Sequence, residues 1–243
     1  MNKIQKVSII IPAYNEEKII SNTIEETTNF LKKTNKSFEL IISNDGSKDR
    51  TAEIVKNKQK NYKELKLCDN QKNEGKGSAL TNAFKMAKGR YILFIDADLA
   101  IDINLFPKLI EPLKKNTADI AIASKHVKGA SVEYSLIRSI TSRTYSALAR
   151  IILGLKIKDC QCGFKAFRKE TIKKILPDMK NKGWGWDTEV LAKASWKGYK
   201  IIEVPAKVVN IPGRESKVSI IKTVKSMLKE LIELQKEKKK YAN

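Results

Sequence analysis

Histidine occurs once in this chain of 243 residues, at His126, and cysteine only three times, at Cys68, Cys160 and Cys162. That is too little to build a customary zinc site, and so odd and sparse a cysteine set reads as reduced thiols packed for volume. Long apolar runs are also missing. None approaches the roughly 20 residues that cross a bilayer, so no transmembrane span is expected. The opening Met1 to Lys6 leads straight into strand-like sequence with no room for an apolar leader, which makes the cytoplasm the expected compartment. Neither Gly-x-Gly-x-x-Gly nor Gly-x-x-x-x-Gly-Lys-Ser/Thr is present, so the dinucleotide fingerprint and the P-loop are both excluded. Acids are scarce beside bases: 27 Asp and Glu face 48 Lys and Arg, a formal charge of +21. Such an excess implies a polyanionic partner, whether nucleic acid, anionic headgroups or a phosphorylated substrate. Nucleic acid is the poorest of these, because no aromatic residues interleave with the lysines to stack on bases.

What is present is a soluble composition, 42% hydrophobic and 31% charged, with an alternating beat. Strands are expected at Val7 to Ile11, Phe38 to Ser43, Leu65 to Cys68 and Tyr91 to Ile95, with helices at about Glu16 to Lys33, Asp49 to Lys60 and Gly77 to Lys88. This β-α-β-α-β order predicts an α/β fold with a Rossmann-like, mostly parallel central sheet flanked by helices and ligands at the carboxyl ends of its strands. Further on, Asp119 to Ser124 and Lys200 to Pro205 read as strands and Ser135 to Leu153 as an amphipathic helix. Its apolar stripe is Ile137, Ile140, Thr144, Leu148 and Ile151, flanked by Arg138, Arg143 and Arg150. The chain divides into a domain over 1–217 and a basic amphipathic helix over 218–243. Both helices are read either as packing on the core or as seating the chain peripherally on an anionic membrane.

Asp96-Ala97-Asp98 follows the apolar run Tyr91 to Ile95, where a buried strand would open into a cleft. Two carboxylates so placed suit a hard divalent cation, which usually brings a phosphate with it. The turns Pro12-Ala13-Tyr14-Asn15-Glu16-Glu17 and Ser43-Asn44-Asp45-Gly46-Ser47 put amide and acidic groups at two other strand ends, suited to a nucleobase or ribose, or to plain capping.

In order, Pro12 to Glu16, Asn44 to Ser47, Asn73 to Gly77 and Asp96 to Asp98 resemble the family 2 glycosyltransferases of GT-A fold. Ser124-Lys125-His126, Asp159 to Lys165, Trp186 to Glu189 and Arg214 to Lys217 narrow the resemblance to polyprenyl-phosphate sugar transferases, above all the dolichyl-phosphate glucosyltransferase and mannosyltransferase branches. The resemblance spans roughly residues 6 to 217. It implies a metal-dependent, inverting transfer of a hexose from a UDP- or GDP-sugar to a polyprenyl phosphate at the cytoplasmic membrane face, or, alternatively, to a hydroxyl acceptor. It further implies Mg²⁺ or Mn²⁺ at Asp96 and Asp98, and a nucleotide-sugar site formed by Pro12, Tyr14, Glu16, Asp45, Lys76, Asp96, Ala97 and Asp98. The acceptor phosphate falls to Lys125, Arg138, Arg143, Arg214, Ser216 and Lys217. Asp187, Asp98, Arg138 and Arg214 stand as the catalytic set, with Asp187 open as a base, an acceptor of a sugar hydroxyl or a positioning group. Two positions depart from the family pattern: Asn44 replaces the first of two aspartates, and Lys125 replaces an arginine, giving a point charge in place of a bidentate fork. Trp184 and Trp186 are read as sugar-stacking or core, Cys160 and Cys162 as packing, and Asp159 to Lys165 carries no assigned chemistry.

Overall fold

The computed structural model describes residues 6–34, 37–133, 136–209 and 220–241. Strands β1 (Val7–Ala13), β2 (Phe38–Asp45), β3 (Leu65–Asn70) and β4 (Tyr91–Ile95) alternate with helices α1 (Ile20–Thr34), α2 (Thr51–Gln59) and α3 (Lys76–Met86). After α4 (Phe106–Lys114), β5 (Ile120–Ser124), the short β6 (Ser131–Val132) and α5 (Leu136–Leu153) come β7 (Phe164–Arg168), α6 (Lys169–Ile175) and α7 (Trp186–Trp196). The series closes with β8 (Ile201–Pro205), β9 (Lys207–Val208), which pairs with β6, and α8 (Ile220–Glu237).

The main sheet runs β3-β2-β1-β4-β7-β5-β8. Every neighbouring pair in it is parallel except those made by β7, which lies antiparallel between β4 and β5. From β1 the chain winds outward through β2 and β3, then returns to place β4 on β1's other side. That reversal opens a crevice beyond the carboxyl ends of β1 and β4, where open α/β sheets bind ligands. Strands covered on both faces lose the polar alternation of a half-exposed sheet, which is why Val7 to Ile11 and Tyr91 to Ile95 are continuously apolar. Ile9, Ile11, Leu40, Ile42, Leu93 and Ile95 pack on one side with Ile24, Leu31 and Leu109. Ile10, Ile41, Ile92 and Phe94 pack on the other with Leu80, Phe84, Trp186 and Val190, and Leu231 and Leu234 of α8 enter that same layer.

Sequence pattern and structure part company in two places. The helix start expected at Glu16 is a turn, with Asn15 at φ 53° and α1 beginning only at Ile20. In α5 the buried stripe is Tyr145, Ala149 and Leu153, while Ile140 and Ile151 of the expected stripe are 57% and 79% exposed. The tyrosine is buried because its hydroxyl finds a partner, Thr188 Oγ1 at 3.0 Å, so its polar tip does not keep it out of the core.

Candidate functional site

The cleft floor is knitted from the first two strand ends. Asn15 donates its backbone N–H to Ser47 Oγ at 2.9 Å and its side-chain oxygen accepts from Lys48 N at 2.8 Å, while Glu16 N donates to Thr51 Oγ1 at 2.8 Å. Pro12, Tyr14 and Glu16 are thereby held half-buried along the rim. Asp45 is almost fully buried, and its two oxygens accept from Glu74 N at 3.0 Å and Gly75 N at 2.9 Å. It therefore fixes the loop that leads into α3. Asn44 donates its amide to Asp69 Oδ1 at 2.7 Å. An aspartate there would offer no donor and would face a like charge, which accounts locally for the departure from the paired acids.

That loop delivers Lys76 as the first residue of α3. Gly75, at φ 104°, and Gly77 lie so close to the backbone of Asn181 and Lys182 that a Cβ on either would approach within 2.5 Å. Their smallness serves this protein–protein approach. The Lys76 ammonium lies 2.8 Å from Asp96 Oδ1 and 3.3 Å from Asp187 Oδ2, with its side chain only 11% exposed. The rings of Phe94 and Trp184 cover it at 5.4 and 5.2 Å. Burial works against its charge, but Asp187 and Asp96 outweigh that and raise its pKa.

Asp187 sits in the first turn of α7, where the helix dipole favours a negative charge. Its second partner is Lys165, fully buried on β7, whose ammonium reaches Asp187 Oδ1 at 2.5 Å and the Cys162 carbonyl at 2.6 Å. Burial penalises the Asp187 charge, yet Lys165 and Lys76 together hold its carboxyl below the usual range. Asp96 behaves oppositely: crowding by protein, together with Asp98 and Asp187, raises its carboxyl despite Lys76. A tight turn aims the acid pair. Leu99 stands at φ 51°, its N–H donating to the Asp96 carbonyl, Asp98 Oδ1 accepts from Ala100 N at 3.1 Å, and the Ala97 carbonyl is tied to Thr23 Oγ1 at 2.7 Å. Gly163 backs this turn; a Cβ on it would fall 1.9 Å from Asp96 Oδ2.

On the other side of β7, the fully buried Asp159 accepts from Lys125 N at 2.8 Å and Gln161 N at 3.0 Å, and lies 3.1 Å from the Lys125 ammonium. Burial opposes its ionisation, but Lys125 and the two backbone donors lower its pKa. His126 Nε2 lies 3.4 Å from Ser142 Oγ of α5, and Arg143 beside it is exposed. Arg138 belongs to α5 with its side chain outside the described part, and Arg214, Ser216 and Lys217 lie outside the described residues. The structure thus gathers Lys76, Asp96, Asp98 and Asp187 around one turn and anchors Lys125 beside it.

Neighbouring residues sort differently. Trp186 is fully buried, stacked on Phe84 at 5.5 Å, and its indole N–H donates to Thr81 Oγ1 at 3.0 Å, so it is core. Trp184 is 49% exposed over Lys76. Glu189 spends its carboxylate on Lys180 N, Asn181 N and the Lys193 ammonium, which steadies the segment that meets Gly75 and Gly77 rather than assisting Asp187. Cys160 and Cys162 are buried and their thiols are pushed up to about 12 by that burial. Lys165, Gly163 and Asp159 went unassigned in the sequence, although a lysine inside the apolar run Phe164 to Phe167 signals a buried cation with a hidden acid.

Among the described residues no three His, Cys, Asp or Glu side chains gather as a metal cage. Asp96 and Asp98 nevertheless fit a hard cation that takes one or two carboxylates and completes its shell with phosphate oxygens and water, as Mg²⁺ does. Nor is any helix among the described residues long and apolar enough to cross a membrane.

A family model described as glycosyl transferase family 2 matches residues 8–176. Glycosyltransferase AglD of Haloferax volcanii is 32% identical over 224 residues, covering 91% of this chain but 36% of that protein, so the chain spans about a third of that relative. Dolichyl-phosphate beta-glucosyltransferase ALG5A of Trichomonas vaginalis is 34% identical over 233 residues, covering 92% of this chain and 72% of that protein. Among solved structures, glucosyl-3-phosphoglycerate synthase from Mycobacterium tuberculosis, in complex with Mn²⁺, UDP and phosphoglyceric acid, superposes with a TM-score of 0.69. It covers 96% of this chain and 78% of that one at 19% identity, a likeness of fold, and the fold is GT-A.

Proposed function

Because the chain belongs to glycosyl transferase family 2, we propose that it moves a hexose, glucose or mannose, from a UDP- or GDP-sugar to a polyprenyl phosphate of the dolichyl type, with inversion at the anomeric carbon. Asp96 and Asp98 would hold Mg²⁺ or Mn²⁺, which when bound neutralises charge on the departing diphosphate as a Lewis acid. Pro12, Tyr14 and Glu16 line the nucleoside side, Asp45 fixes the loop behind them, Ala97 shapes the turn, and Lys76 supplies a further cation beside the acids.

The observation that carries the choice of acceptor is the state of Asp187. A carboxylate clasped by two ammonium groups, 2.5 Å from Lys165 and 3.3 Å from Lys76, is a weak proton acceptor. A hydroxyl acceptor demands a base; a phosphate monoester, with its second pKa near 6, arrives largely ionised and demands positioning. Asp187 accordingly acts as a positioning group. Lys125 and Arg143, with Arg138, Arg214, Ser216 and Lys217, form the set for the incoming phosphate, since guanidinium and ammonium donors match its oxygens.

A polyprenyl chain places the reaction at a membrane. Exposed Ile140 and Ile151 on α5, flanked by Arg143 and Arg150, and exposed Ile232 on α8, beside Lys229 and Lys236, suit peripheral docking on the anionic cytoplasmic face.

The test is to supply polyprenyl phosphate in anionic vesicles with a panel of radiolabelled UDP- and GDP-sugars, then extract with organic solvent. Label is expected in the organic phase for one donor, to vanish with EDTA, and the protein is expected to float with anionic but not neutral vesicles. Label that stays aqueous for every donor refutes the acceptor, and persistence in EDTA refutes the metal.

A further inference from the structure

We propose that Lys76 is an internal counter-ion that competes with the divalent cation for Asp96, so that the free protein takes up metal poorly and the ion enters together with the nucleotide diphosphate. This rests on the reading of Asp96 and Asp98 just given and adds an order of binding to it.

Three features carry the argument. First, the two Asp96 oxygens are differently placed. Oδ2 lies beside Gly163, while Oδ1 is the one that Lys76 holds at 2.8 Å, on a side chain that is 40% exposed. An incoming cation and the ammonium therefore contend for the charge of the same carboxylate. Second, the Lys76 backbone is fixed while its tip is held only by ion pairs and ring faces. Its backbone is locked by Gly75 and Gly77 against Asn181 and Lys182, and its ammonium sits under the rings of Phe94 and Trp184, of which Trp184 is half-exposed. Only the flexible stem needs to move for the ammonium to leave Asp96, and Asp187 at 3.3 Å remains within its reach.

Third, the sign of the local charge differs between the two arrangements. Lys165 and Lys76 face Asp187, Asp96 and Asp98, leaving the cluster with a formal excess of one negative charge. A divalent ion entering alone would reverse that sign with Lys76 pressed against it. Cations pressed together in a partly buried cleft repel, so that arrangement is disfavoured. An ion arriving with a doubly negative sugar-nucleotide diphosphate leaves the balance as it was and gives the displaced ammonium a phosphate oxygen to meet. Asp187 keeps Lys165 throughout, so releasing Lys76 strands no buried acid.

The experiment is a Mn²⁺ titration of the full chain, reading free Mn²⁺ by electron paramagnetic resonance, with no nucleotide and then with UDP or GDP. Lys76→Met removes the competing charge with little change of shape. It is expected to bind Mn²⁺ alone about tenfold or more tightly than the unaltered chain, and to lose most of the gain that nucleotide confers on the unaltered chain. Lys76→Gln serves as the second variant should the methionine chain not fold, and adding Asp96→Asn to either is expected to erase the gain. If both Lys76 variants bind Mn²⁺ alone no more tightly than the unaltered chain, the competition is refuted while the metal site stands. If no form binds Mn²⁺ even with UDP and GDP, the metal reading fails and the competition with it.

Discussion

Charged clusters close both ends of the parallel sheet, and they are built in opposite ways. Where β1, β2 and β3 begin, Glu39 is 1% exposed and accepts from Ser8 Oγ at 2.5 Å, Lys88 N at 2.6 Å and Lys66 Nζ at 2.5 Å. Two of those donors belong to a strand and a loop that cannot move independently of the core. Where β1 and β4 finish, Asp96, Lys76, Asp187 and Lys165 form a chain in which Lys76 is shared by two acids. The first cluster centres on a single buried acid that takes three hydrogen bonds, with Lys6 a further cation at 3.7 Å. The second has a charge that can be handed to a ligand without leaving its partner bare. The contrast separates ionic groups that hold a fold from ionic groups that work.

The comparison can be broken at the working end first. Alanine at both Asp96 and Asp98 is expected to lower transfer of label into the organic phase by about 10³-fold or more. Stability in urea should move by only about 1 kcal/mol. A near-normal rate would place the chemistry elsewhere. Next in size is Lys165→Met, which leaves buried Asp187 with Lys76 alone. Loss of one partner from a buried pair costs about 3–5 kcal/mol, and Asp187→Asn added to it should recover part of that. Urea unfolding of the single and double variants measures both.

At the structural end, burial penalises the charge of Glu39, but Lys66, Ser8 and the Lys88 N–H outweigh it and pull its carboxyl from 4.5 down to about 2. The folded pKa lies below the unfolded one, so this contribution is complete above about pH 4.5 and is lost as pH falls toward 2. Glu39→Gln should cost on the order of 2 kcal/mol at neutral pH after allowance for screening, and should flatten the acid limb of stability between those values without altering Mn²⁺ uptake. The smallest effect on stability belongs to Ile140→Ser with Ile151→Ser, within about 0.5 kcal/mol because both are already in solvent. The same pair should abolish flotation with anionic vesicles, and unchanged flotation would remove α5 from the docking face.

The half around β1, β2 and β4 was legible because its physics is local. A strand buried on both faces spells itself out in consecutive apolar residues, as Val7 to Ile11 and Tyr91 to Ile95 do, and the polar groups that follow must lie at strand ends. The half built around β7 was not. Lys165 interrupts its apolar run, and the acid that makes this tolerable, Asp187, lies 22 residues on. The lysine implies a hidden acid, but nothing in the strand says that α7 supplies it. Asp159, Gly163 and Lys165 therefore read as a motif without chemistry, although each holds a site group: Lys125, Asp96 and Asp187 respectively. Trp186, read as sugar-stacking or core, is core because its indole N–H finds a partner there, and Tyr145 is buried by the same means.

Reversal of a single strand has an outcome for how this protein can be altered. Because β7 runs against its neighbours, its beginning rather than its end points at the crevice, and the chain from Asp98 to Gly163 leaves the donor side and comes back to it at adjacent positions, Ile95 opposite Phe164. Everything between those two points is an excursion anchored at a common base. That stretch also carries α4 and β5 into the core, so replacing the whole of it would mean rebuilding the sheet beside β7.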